Sequence, residues 1–306
     1  MTPHPSRWAG VAALGTGLLV LTACSGPPES TQAPVAATTT LVTAPTAPAP
    51  AGPSGPAAPL ELSVSHIHAA QRDPQTGALL LATHEGLFRQ NGFELQQVGP
   101  VIDLMGFAAD PDGTLYASGH PGADAGLPQP LGLITSDDAG RTWQVASRGG
   151  ESDFHALAVG PSTVVGFDGA VRTTADGQSW TTRDLNLPVI GLAASPQSGT
   201  LLATTQAGLL RSDDDGTSWQ RLTPPEAAVL VAWADDTTAV AATVTGRLVS
   251  SEDGGRSWTL GPKSIGQVSA LSAQRAANGM VEIIAVVDGT VIATTDDGGS
   301  TQILAR

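Results

Sequence analysis

The chain has 306 residues, with 28 acidic against 14 basic side chains and a net charge of −14. That balance opposes binding to nucleic acid, whose phosphates are held by clustered Lys and Arg. Its single cysteine excludes an internal disulfide and any metal cage of several thiolates.

Residues 1–23 read as a lipoprotein signal peptide. Arg7 supplies the positive start, Trp8 to Leu21 carries no acid, and small residues close the run before Cys24. The apolar stretch is short for a membrane span and no stop-transfer charges follow it, so its removal is expected. Leu21-Thr22-Ala23-Cys24 resembles a bacterial lipobox. This implies lipidation at Cys24, an anchor in the cell membrane and a protein on the extracytoplasmic face. Residues 24–59 are rich in Pro, Ala and Thr with almost no charged or aromatic residue, too poor in apolar side chains to build a core. A disordered linker is expected there, with one folded domain over 60–306.

An eight-residue pattern recurs in that domain: Ser/Thr, any, Asp, any, Gly, any, Ser/Thr, Trp. It is complete at Ser136–Trp143 (with Asp138 and Gly140), at Ser212–Trp219 (Asp214, Gly216) and at Ser251–Trp258 (Asp253, Gly255). Two copies are damaged. One, from Thr174 to Trp180, is a residue short between Asp176 and Gly177; the other, Thr295–Gln302 with Asp297 and Gly299, ends in Gln302 instead of Trp. The five end positions are spaced by 37, 39, 39 and 44 residues. In a hairpin turn the Asp and hydroxyls accept backbone N–H groups, Gly supplies positive φ, and the Trp wedges between sheets. A period near 40 residues filled with short strands predicts propeller blades of four antiparallel strands.

The fold expected is all-β, a six-bladed β-propeller, with seven blades as the alternative. The blades fall at about 60–98, 99–148, 149–184, 185–224, 225–261 and 262–306. Blade one lacks the motif, yet Asp73–Gly77 aligns with Ser195–Gly199, and Gly86–Arg89 with Gly208–Arg211, at one offset of 122 residues. Gln302 to Leu304 supplies the last outer strand, and whether Leu60–Val64 pairs there is left open. The motif resembles the Asp-box, or BNR repeat, of sialidases and related propellers, which serve many activities.

Aligning the first strands on their turns places His68, Met105, His155 and Ile190 in one column. Two residues earlier stand His66, Asp103, Asp153 and Pro188. Residues two apart on a strand share a face, and first strands line the propeller channel. His84 and His120 end second strands and return to the same face, so all five domain histidines converge on blades one to three. The matching positions of blades five and six are Ala228 and Leu230, and Gln267 and Ser269.

Neutral imidazoles with carboxylates suit a divalent transition metal, and the Met105 thioether adds a preference for copper. His66, His68, His120 and His155 are the candidate ligands for copper or zinc, assisted by Asp103, Asp153 and Met105. The alternative is a wet channel mouth in which these groups only satisfy one another.

Ser65–His68, Ala82–Arg89, Asp103–Phe107, Ala117–Gly122 and Asp153–Leu157 resemble a family of bacterial lipoproteins. Its members are labelled glycosylhydrolase or sialidase-like because of their Asp-box propeller, and the likeness covers most of residues 60–260. It implies a six- to seven-bladed propeller and no proven activity. A sialidase needs three arginines and a Tyr–Glu nucleophile, whereas this chain has one tyrosine, Tyr116, and no Arg in the first-strand column. The expected function is a membrane-anchored extracytoplasmic propeller binding a small ligand, metal ion or glycan at the mouth of blades one to three. Whether it is an enzyme stays open: the runner-up is a glycoside hydrolase working through Asp103 and Asp153, and the third reading is an assembly scaffold that binds a protein.

Overall fold

Short apolar runs punctuated by Gly, Asp and Pro turns fold as 24 strands, with no helix among the described residues. The computed structural model describes residues 58–306; the targeting segment, Cys24 and the linker to residue 57 lie outside them. Blade one is β1 (Ile67–Arg72), β2 (Leu79–Thr83), β3 (Gly86–Asn91) and β4 (Glu94–Val98). Blade two is β5 (Ile102–Ala109), β6 (Leu115–Pro121), β7 (Leu133–Ser136) and β8 (Gln144–Ser147). Blade three is β9 (Ala156–Val159), β10 (Val164–Phe167), β11 (Val171–Thr174) and β12 (Thr181–Thr182). Blade four is β13 (Val189–Ala194), β14 (Leu201–Thr205), β15 (Gly208–Ser212) and β16 (Gln220–Arg221). Blade five is β17 (Ala228–Trp233), β18 (Ala239–Thr243), β19 (Arg247–Ser251) and β20 (Thr259–Ser264). Blade six is β21 (Val268–Arg275), β22 (Val281–Val287), β23 (Thr290–Thr294) and β24 (Gln302–Ala305).

Each blade is a four-stranded antiparallel meander, and there are six, not seven. Blade five runs to Ser264, three residues past its expected end. Second strands β2, β14 and β18 are buried at every residue, because both faces meet a neighbouring blade. The outer strands β12 and β16 are exposed throughout. The core is accordingly a series of seams between blades. Trp143 packs in the seam of blades one and two, Trp180 in that of two and three, Trp219 in that of three and four, and Trp258 in that of four and five.

The repeat turns close as their residue types dictate. Ser136, Ser212, Ser251 and Thr294 donate their hydroxyls to Asp138, Asp214, Asp253 and Asp296 at 2.8–2.9 Å. The same hydroxyls accept the N–H of Gly140, Gly216, Gly255 and Gly298 at 2.8–3.0 Å. The last turn therefore uses Asp296 and Gly298, one residue ahead of the expected Asp297 and Gly299. Asp297 holds the preceding position at a φ of 52° and accepts instead from Ser250 of blade five. In the shortened copy, Asp176 accepts from Thr174, Gln178 and Ser179, and Trp180 donates across the seam to Ser147 at 2.8 Å.

These bonds hold the turn carboxyls below their ordinary 3.8, with Asp138, Asp214 and Asp296 each pushed down to about 2. The leading causes are the Thr142 N–H, the Ser218 hydroxyl and the Ser300 N–H respectively. A depressed carboxyl stabilises the fold fully above its unfolded value and loses that contribution as pH falls through the folded one. The melting temperature is thus expected to be flat near neutrality and to drop between about pH 4 and pH 2. Thermal melts followed by circular dichroism across that range check it; an unchanged melting point at pH 2 would deny the turns this role.

Closure uses both ends of the domain. Leu60 bridges Ala305 in parallel, and Leu60 N–H to Leu304 O, Leu62 N–H to Arg306 O and Arg306 N–H to Leu60 O measure 2.8–2.9 Å. Leu60 is buried with Ile67, Leu79, Ile284 and Ala305 in the seam between blades six and one. A bidentate Arg72–Glu282 pair (2.8 and 3.2 Å), joined by Gln274, crosses the same seam.

Candidate functional site

First strands start at one mouth of the channel, and most are bulged at the same place. The register shifts between Ile67 and Ala69, Leu104 and Gly106, Val189 and Gly191, Ala228 and Leu230, and Val268 and Ala270. The extra residues are His68, Met105, Ile190, Val229 and Ser269, and a bulge re-aims such a side chain. In blade three His155 stands just before β9 and donates its N–H to Phe167 O at 3.1 Å. The expected column holds except in blade five, where Val229 occupies it rather than Leu230, and Ala227 precedes it rather than Ala228. The run Ala227 to Ala232 is apolar throughout, so no alternation marks its face.

Two His–Asp groups result. In the first, the rings of His66, His68 and His84 lie 4.7–5.4 Å apart between centroids. Asp103 reaches His68 Nε2 at 3.2 Å and His84 Nδ1 at 3.4 Å, one oxygen to each. In the second, Asp153 Oδ2 lies 2.7 Å from His155 Nε2 and 3.3 Å from His120 Nε2. Asp103 and His120 are directly opposed on β5 and β6, which puts the two groups side by side on one face. Of the four expected ligands, His66 and His68 fall in the first group, joined by His84, while His120 and His155 fall in the second. Met105 is half-buried at its bulge, two residues after Asp103.

The backbone around these groups is tightly fitted. A Cβ on Gly119 (φ 139°) would lie 2.0 Å from Asp103 O, and one on Gly106 would lie 2.3 Å from Phe154 O. Both strands can approach their neighbours only as glycine. Phe154 donates its N–H to Ser118 Oγ at 2.9 Å and buries its ring completely, leaving Asp153 and His155 at the mouth. Sequence reasoning missed a support: Glu85 accepts the N–H and hydroxyl of Ser65 at 3.1 and 2.6 Å, fastening the segment that carries His66 into β1 to the turn that carries His84. The adjacency of Glu85 to His84 was the available signal.

Burial pushes the His68 imidazole below its ordinary 6.5, helped by His66 and His84 and opposed by Asp103. His68 is therefore neutral near pH 7, the form that ligates metals. Among the described residues, seven buried side-chain polar atoms make no hydrogen bond, and five of them sit here: Glu85 Oε2, His120 Nδ1, Asp153 Oδ1, and His68 Nε2 with Asp103 Oδ1, which face each other at 3.2 Å out of hydrogen-bond alignment. Such atoms are costly when buried unpaired, so their concentration marks a face built to meet something else. Three donors, from His68, His84 and Asp103, lie within 4.8 Å of one another.

Tyr116 is remote from this face. It lies near the start of β6 with its hydroxyl on Asp110 at 3.3 Å, and burial followed by Asp110 pushes its pKa up to about 12. His120 is four residues further along the strand, about 13 Å away. The opposite end of the channel is a cavity of about 330 Å³ lined by Arg72, Phe107, Val159, Ala194, Trp233 and Gln274, one from each first strand. It holds no histidine.

No family model matches the chain, and no curated protein matches it. Solved structures do. The extracellular domain of a protein described as a hybrid two component system of B. thetaiotaomicron is 14% identical, with a TM-score of 0.56 over 80% of this chain and 34% of that one. The chain thus spans about a third of that structure. A chain of a nidogen/laminin complex is 15% identical, with a TM-score of 0.57 over 75% of this chain and 93% of the other. At these identities the likeness is one of fold, a β-propeller.

Proposed function

We propose that this chain is a lipid-anchored, extracytoplasmic Asp-box propeller that binds a transition-metal ion, copper or zinc, at the channel mouth. The carrying observation is the convergence of His68, His84 and Asp103 donors within 4.8 Å, with His66 alongside. Imidazole nitrogens with one carboxylate suit zinc and copper, and the net protein charge of −14 favours a cation over an anion. His68 Nε2 and Asp103 Oδ1 are buried and face each other at 3.2 Å without a well-formed hydrogen bond, so both have electron pairs to offer an ion. Asp103 and Asp153 each face two imidazoles, which suits ligand roles better than a free acid and base for glycoside hydrolysis. The extracytoplasmic placement rests on the lipobox-like end at Cys24 and accords with the extracellular origin of one similarly folded domain.

One preparation tests both parts. Wild type should be recovered from membranes and Cys24→Ala from the medium. Titration of the tag-free full chain with Zn²⁺ and Cu²⁺ should show tight binding that weakens at least a hundredfold in His68→Ala/His84→Ala. Absence of binding at micromolar metal, or an unchanged double variant, would remove the metal reading. Membrane-bound, normally processed Cys24→Ala would remove the anchor.

A further inference from the structure

The histidines of the mouth do not gather round one point. His68 and His84 are held by Asp103, His120 and His155 by Asp153, and no contact within 4.0 Å links a histidine of one group to the carboxylate of the other. The unpartnered buried atoms divide the same way. In the first group the atoms without a hydrogen bond, His68 Nε2 and Asp103 Oδ1, face each other at 3.2 Å; in the second, His120 Nδ1 and Asp153 Oδ1 are the atoms turned away from the His–Asp contacts. Each group sets a carboxylate between two imidazoles, through both oxygens in the first and through Oδ2 alone in the second, and among the described residues the first alone brings three donors within 4.8 Å of one another.

We propose that the mouth carries a second divalent transition-metal position, built on Asp153 between His120 and His155 and loaded separately from the one on Asp103. It rests on the metal-ion reading of the mouth and assigns that face two ions instead of one. In the second group both imidazoles point Nε2 at the single oxygen Oδ2, at 2.7 and 3.3 Å, and a cation there would be met by both Nε2 lone pairs with each ring's proton carried on Nδ1. The two positions differ in access. The side chain of His68 is 11% exposed, whereas those of His84 (46%), His120 (40%) and His155 (58%) are open to solvent. An ion on Asp153 has three protein donors, both imidazoles open to solvent, and coordination places left for exchangeable ligands, whereas the first position has one enclosed imidazole, His68. Asp103 opposite His120 joins the two along the β5–β6 pair.

Calorimetric titration of the tag-free full chain with Zn²⁺, repeated with Co²⁺ and read by its visible absorption, counts the ions. Two equivalents are expected in wild type, one in His120→Ala/His155→Ala and one in His68→Ala/His84→Ala. One equivalent in wild type, unchanged in His120→Ala/His155→Ala, overturns the second position and leaves the first standing. No binding by wild type overturns both. His155→Asn, at an exposed residue that the fold does not need, should weaken only the later binding step, by at least tenfold. An unchanged later step in that variant also overturns the proposal.

Discussion

Phe154→Ala is expected to lower the stability of the propeller by about 3–5 kcal/mol and its melting temperature by roughly 10 °C. The ring is fully buried, stacks on Trp180 at 4.9 Å and 24°, and fills the space over Gly166, where a Cβ would come within 2.6 Å of it. On the β10 side Gly166 presents bare backbone to the ring, so no side chain there can move in to refill the volume. The residue also separates Asp153 from His155, so its loss should loosen the second His–Asp group before the first. Denaturant melts of Phe154→Ala and Phe154→Leu check this. A loss under about 1 kcal/mol for alanine would show that the seam collapses onto the cavity and that Phe154 does not fix this strand.

The second large effect lies at the clasp. Leu60→Ala should cost about 2–4 kcal/mol, since Leu60 is 6% exposed and packs against both the first and the last blade. Replacing 58–62 by a Gly/Ser run should do more, by baring the edge of β24 for pairing with a second chain. Melting curves and light scattering read the two consequences. Equal stability and a monomer in the replaced variant would mean that the Arg72–Glu282 pair and the seam alone hold the ring shut.

Most of the fold was legible because its repeat is marked by residues that do one job each. Trp219 and Trp258, with their Asp, Gly and hydroxyl partners, mark where the third strand of each blade ends, at Ser212 and Ser251, and where the fourth begins, at Gln220 and Thr259. Where the mark is ambiguous, the reading slips. The last turn reads Thr294-Thr295-Asp296-Asp297-Gly298-Gly299, so every motif position is doubled, and the missing Trp removed the remaining landmark. Only the bonds to Asp296 choose between the two registers. The site followed similar logic. His66 with His68 and Asp153 with His155 could be put on one face from their spacing alone. Their division into two groups could not, because it depends on which carboxylate each ring meets across a seam. The bulges that swing His68 and Met105 out of simple alternation set that geometry.

The parallel pairing of Leu60–Leu62 with the end of the chain also has a mechanical meaning. Tension arriving along the backbone from residue 58 pulls this segment along its own axis. Its three backbone bonds, at 2.8–2.9 Å, are then strained together instead of being peeled open in turn. Loaded in shear, the clasp resists a pull along the strand far better than a hairpin opened one bond at a time would. Load entering the folded domain at residue 58 is thus met by three bonds at once, which must break together before the seam between the first and last blades is bared.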